Sequence, residues 1–114
     1  MFKRFFSKDI NIPTLRLSGV IGQAGIARSG LTITGIEKLI DKLFSHKKTP
    51  AVALIINSPG GSPTQSSLIA EKIINLSKEK NKKVYAFVED VAASGGYWLA
   101  CAADEIYLDL NSIV

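Results

Sequence analysis

Apolar and polar residues recur along this chain with two different periods. Thr14 to Ile21 alternates loosely, with Pro13 just before it, and predicts a first strand. Ile36, Leu39, Ile40, Leu43 and Phe44 recur at i, i+3, i+4, i+7 and i+8, the spacing of a helix that buries one face. Thr34 is the expected start of that helix, with Glu37 completing a capping box. Ala51 to Ile56 is a continuous apolar run between Pro50 and Asn57, as in a strand buried on both faces of a parallel sheet. A second helix is expected from Thr64 to Lys80, with Leu68, Ile69, Ile73 and Leu76 turned inward. Val84 to Val88 reads as the next buried strand, Gly95 to Ala103 as a third helix and Glu105 to Leu108 as a fourth strand. Gly22 to Leu31, rich in glycine and alanine, reads as a loop.

The order is therefore β, α, β, α, β, α, β. Right-handed crossovers place such strands in a mainly parallel sheet covered by helices, an α/β fold. Ligands of such sheets sit at the carboxyl ends of the strands. Two loops leaving those ends carry unusual residues, Asn57 to Pro63 and Glu89 to Gly96.

Composition narrows the picture. At 114 residues, 46% hydrophobic and 21% charged, the chain is one small globular domain or part of a larger one. All 14 Lys and Arg lie between Lys3 and Lys83, whereas Glu89, Asp90, Asp104, Glu105 and Asp109 follow. The basic runs at His46–Lys48 and Lys78–Lys83 read as solvated helix ends favoured by the helix dipole. No aromatic residues interleave them, so no nucleic-acid partner is expected. The single Cys101 excludes an internal disulfide and is expected to pack inside a helix. One His and one Cys do not make a usual zinc site, and neither metal nor cofactor is implied. No apolar run has the length of a signal-peptide core or a transmembrane helix, which points to a cytoplasmic or peripherally membrane-associated protein. Phe2, Phe5 and Phe6 with Lys3, Arg4 and Lys8 leave peripheral membrane contact open, although a frayed arm over residues 1–13 is the simpler expectation.

The candidate chemistry lies in the two loops. Ser94 stands among Ala92, Ala93, Gly95 and Gly96 at a strand-to-helix junction, where its oxygen is open to a substrate and a second backbone has room to approach. In Asn57-Ser58-Pro59-Gly60-Gly61-Ser62, Pro59 and Gly60 suit the two central positions of a type II turn, and Gly61 bares the backbone to a ligand. Free N–H groups there could hold an oxyanion during acyl transfer, an effect worth roughly 3 to 4 kcal/mol per donor. Alone, this loop reads equally as a tight turn. Ser94 beside it, on an adjacent strand, would pair a nucleophile with an oxyanion cradle. No GxxxxGK[ST] or GxGxxG phosphate loop and no GxSxG elbow is present.

At Ile55–Ser62 and Val91–Trp98, and on through Ala102-Ala103-Asp104-Glu105-Ile106-Tyr107, the chain resembles the signal peptide peptidase A (protease IV) family and its SohB-like relatives. The similarity runs from about Leu15 to Val114. It implies a ClpP/crotonase-like fold of ββα units, incomplete at the C-terminus, with residues 14–114 as the N-terminal part of the peptidase domain. It further implies Ser94 as the nucleophile, with Gly60, Gly61 and Gly95 at the oxyanion and substrate site. Implied too are a lysine base, apolar peptide or protein substrates such as signal-peptide remnants, and assembly into homo-oligomers. One part of the family pattern is missing: 20 residues follow Ser94 and none is Lys. His46, Lys72, Glu89 and Asp90 are poor substitutes by their place in the expected fold. The expectation is a C-terminally truncated Ser-Lys peptidase whose base comes from elsewhere, such as a partner chain. The alternatives are an inactive fragment or assembly subunit that binds peptides, and a crotonase-like module that binds an acyl thioester.

Overall fold

The computed structural model describes residues 11–23 and 30–114. Its elements follow the order β1 (Thr14–Ser18), α1 (Ile33–Ser45), β2 (Ala51–Ser58), α2 (Pro63–Lys80), β3 (Lys83–Ala92), α3 (Gly95–Ala100) and β4 (Glu105–Leu108). The four strands form one parallel sheet in the order β1-β2-β3-β4, an α/β architecture compatible with the ClpP/crotonase-like fold. The first ten residues of the expected N-terminal arm, and most of the expected Gly22–Leu31 loop, lie outside the described residues.

Each crossover steps to the next strand in the same direction. Three right-handed crossovers in one direction put all three helices on one face of the sheet. Ile36, Ile40, Leu43 and Phe44 of α1, Ile69 and Ile73 of α2 and Leu99 of α3 meet Val52, Leu54, Ile56, Val84 and Ala86 there. Burying each large aliphatic side chain contributes roughly 1.5 to 3 kcal/mol. The opposite face carries Arg16, Ile55, Phe87 and Tyr107 in one row across the four strands. Phe87 and Tyr107 stack at 5.4 Å between ring centroids and are 43% and 49% exposed. β2 is buried on both faces along most of its length, as its apolar run predicts, whereas β3 is buried on one face only.

Local details differ from the expectations in instructive ways. Helix α1 is capped by Thr32, whose hydroxyl accepts from the Gly35 N–H, so the Thr34–Glu37 capping box does not form. The Ile33 N–H donates to the Gln65 side chain of α2 (2.7 Å), which joins the starts of the two helices. Ser62 caps α2 through the Gln65 N–H, with Pro63 in its first turn. Leu68, expected inside, is 41% exposed. Cys101, expected inside a helix, is exposed at the C-terminal cap of α3, because α3 ends at Ala100.

Candidate active site

The loops that leave β2 and β3 touch. Ser58, the last residue of β2, is buried; its Oγ accepts from the Gly60 N–H and its carbonyl from the Ala93 N–H, both at 3.1 Å. Gly60 and Gly61 adopt φ of 104° and 148°, a region that L side chains rarely enter. A Cβ on Gly60 would stand 2.7 Å from the Cβ of Ser94 and 2.9 Å from the Gly95 nitrogen. A Cβ on Gly61 would run into the carbonyl of Ile21, and one on Gly96 into the carbonyl of Ser58. Glycine thus marks where three backbones meet. Ile21 completes the contact, donating to the Gly60 carbonyl and accepting from the Ser62 N–H, both at 2.9 Å.

Ser94 is exposed at the start of α3, with φ 53° and ψ −122°. For a residue with a Cβ this conformation costs roughly 1 to 3 kcal/mol and is tolerated only where the surroundings enforce it. Here the Ser94 carbonyl accepts from the Tyr97 and Trp98 N–H groups (3.0 and 3.1 Å), and the Ala93 carbonyl from Gly96 (2.8 Å). This is a sharp strand-to-helix turn that lifts a serine above the sheet, built on Ala-Ala-Ser-Gly-Gly instead of GxSxG. The strain at Ser94 was not anticipated from the sequence. Its only trace there is the set of small residues on both sides.

Hydrogen bonding sorts the three candidate glycines. The Gly60 N–H is engaged by Ser58, whereas among the described residues the Gly61 and Gly95 N–H groups have no protein acceptor. Ser94 Oγ likewise makes no hydrogen bond among them. The possible bases are held elsewhere. Lys72 pairs with Asp41 of α1 (2.7 Å), and Glu89 with Arg16 of β1 (2.5 Å). His46 precedes β2 at the opposite end of the sheet, beside Pro13, Leu15, Leu39 and Leu43, and its carbonyl accepts from Lys82 Nζ. Among the described residues no group of His, Cys, Asp and Glu is placed to hold a metal ion. On α3, Tyr97 lies exposed next to the site, and the neighbouring Cys101 thiol holds its hydroxyl above the usual tyrosine range.

A sequence profile of peptidase family S49 matches residues 76–114. Protease 4 of Haemophilus influenzae is 40% identical over 78 residues, 68% of this chain and 12% of that protein. The chloroplastic serine protease SPPA of Arabidopsis thaliana is 38% identical over 109 residues, 82% of this chain and 16% of that protein. A protein of Brucella melitensis named Na(+)/H(+) antiporter NhaA is 49% identical over 113 residues, 98% of this chain but 15% of its own length. Among the described residues no helix is long and apolar enough to cross a membrane. The chain spans less than a fifth of the length of each of these three relatives. The profile covers the Ala92–Trp98 motif, and together with these proteases it shows that the chain belongs to the signal peptide peptidase A/SohB-like branch of peptidase family S49.

Proposed function

We propose that this chain supplies the nucleophile and the oxyanion cradle of a serine peptidase that cleaves apolar peptides, such as signal-peptide remnants, through an acyl-enzyme. The observation that carries this reading is the contact of Gly60 with a strained, exposed Ser94, next in sequence to Gly61 and Gly95, whose N–H groups have no acceptor among the described residues. Ser94 Oγ attacks the scissile carbonyl carbon and its proton passes to a lysine amine. Gly61 and Gly95 donate to the oxygen that becomes negative, and Gly60 keeps the cradle free of side chains. Collapse expels the amine product, which takes the proton from the lysine, and water then hydrolyses the Ser94 ester.

The lysine is not among the residues after Ser94, and Lys72 is tied to Asp41. The base in this reading is a lysine from outside these 114 residues, such as one on a partner chain. Without it Ser94 retains the cradle and loses most of its nucleophilicity.

A fluorophosphonate probe tests this reading. The expected result is slow labelling of the chain alone, none in Ser94→Ala, and strong acceleration when a lysine-bearing family segment is added. Absence of labelling in both conditions would refute the peptidase reading and leave a peptide-binding subunit; acyl-CoA binding at micromolar affinity would favour a thioester-binding module.

A further inference from the structure

The ladder between β2 and β3 breaks just before the site. Ile56 pairs with Val88 and Ser58 with Ala92, so two steps along β2 match four along β3. The two extra residues form a bulge over Glu89–Val91. Without it Ser58 would face Asp90, and Ser94 would be carried about 7 Å past Gly60, at about 3.3 Å per strand residue. The bulge is therefore what sets Ser94 level with the cradle.

A bulge leaves ladder groups unpaired, and four of them here have replacement partners. On the β4 side the Glu89 carbonyl accepts from Ser112 Oγ (2.6 Å) and the Asp90 carbonyl from the Ile113 N–H (2.9 Å). The Ala92 N–H donates to the Ile113 carbonyl (2.8 Å). On the β2 side the work falls to one side chain. Asn57, the residue skipped by the register, accepts from the Val91 N–H through Oδ1 (3.2 Å) and turns Nδ2 towards Asp90 Oδ2 (3.4 Å). A primary amide suits this place because it offers an acceptor to the backbone and a donor to a carboxylate at once.

From this geometry we infer that Asn57 is a positioning residue for Ser94: its amide stands in for the missing ladder partner of Val91 and, with Asp90, holds the bulge that aims the serine at the Gly61 and Gly95 N–H groups. The inference rests on the peptidase reading for its catalytic meaning, but its structural content is tested without turnover. Backbone amide resonances of Val91, Ser94 and Gly95 are followed in the whole chain at neutral pH. In Asn57→Leu, exchange of the Val91 amide speeds up at least about tenfold, in keeping with the loss of a hydrogen bond, and the Ser94 and Gly95 resonances move. In Asn57→Asp they move as well, because two carboxylates now face each other. Adding Asp90→Asn to Asn57→Asp swaps acceptor and donor and returns both resonances to their wild-type positions. That rescue decides the matter even if Asn57→Leu does not fold.

Ser94 and Gly95 resonances that stay fixed in Asn57→Asp, or that the swapped pair fails to restore, would overturn the inference. Failure of the wild-type chain to label with fluorophosphonate, both alone and with the lysine-bearing segment, would refute the peptidase reading and leave the positioning of Ser94 by Asn57 standing, since the amide measurements do not depend on it.

Discussion

The two loops at the carboxyl ends of β2 and β3 solve the same steric problem in opposite ways. Both turn sharply into a helix and both require a positive φ. After β2, glycines at 60 and 61 take that conformation and no side chain is present to be strained. After β3, a serine takes it, and its oxygen stands exposed with no hydrogen bond to the described protein. A glycine at 94 would make the turn at lower cost. A side chain held there at that cost fits the role proposed for its oxygen, and the comparison sets a position shaped by backbone geometry beside one where a side chain is kept in spite of it.

The largest expected effect tests the geometric loop. Gly61→Ala drives a Cβ into the Ile21 carbonyl at a positive φ and should cost about 3 kcal/mol or more, lowering the melting temperature by more than about 10 °C. A melting temperature within a few degrees of wild type would mean that the loop moves freely and forms no fixed cradle. Next comes Ser58→Ala, which leaves the buried Gly60 N–H without its acceptor; a loss of about 2 kcal/mol in denaturant unfolding is expected, within the range for an unsatisfied buried group.

The serine itself gives the sharpest contrast. Ser94→Gly should stabilise the chain by about 1 kcal/mol, because relief of backbone strain outweighs the extra freedom of glycine when unfolded. Ser94→Ala keeps the Cβ and should leave stability nearly unchanged, although both variants lose probe labelling. Equal stabilities for the glycine and alanine variants would erase the distinction between the two loops. Smallest is Lys72→Met, at about 0.5 kcal/mol or less for a partly exposed ion pair. Under conditions where the wild-type chain labels, this variant should label at the same rate; a large drop would make Lys72 the base after all.

Much of this architecture can be read along the chain. The unbroken apolar run at Ala51–Ile56 predicts a strand buried on both faces, and β2 is one. The spacing of Ile36, Ile40, Leu43 and Phe44 finds the buried face of α1. What escapes the sequence depends on neighbours distant in the chain. β3 shares the apolar character of β2, yet on the face without helices its bulky Phe87 stays half-exposed, whereas β2 carries the small, covered Ala51 and Ala53 there. Thr32 wins the cap over Thr34 because the Ile33 N–H reaches Gln65 on the next helix. Near the site, the small residues around Ser94 announce close packing, and the structure adds the conformation of the serine. The bulge at Glu89–Val91 has no local signature, since its partners are Asn57, Ser112 and Ile113.

The strand order β1-β2-β3-β4 also bears on how the chain assembles. Each strand pairs with the one made just before it, so no strand waits for a distant segment to be synthesised. Local pairing of this kind lowers the loop-closure entropy at each step and suits stepwise growth from the N-terminus. The Gly60–Ser94 contact can close once α3 has emerged, and Ser112 and Ile113 reach the outer side of the bulge last. The Gly60–Ser94 contact is thus framed before Ser112 and Ile113 emerge to fasten the bulge that holds it.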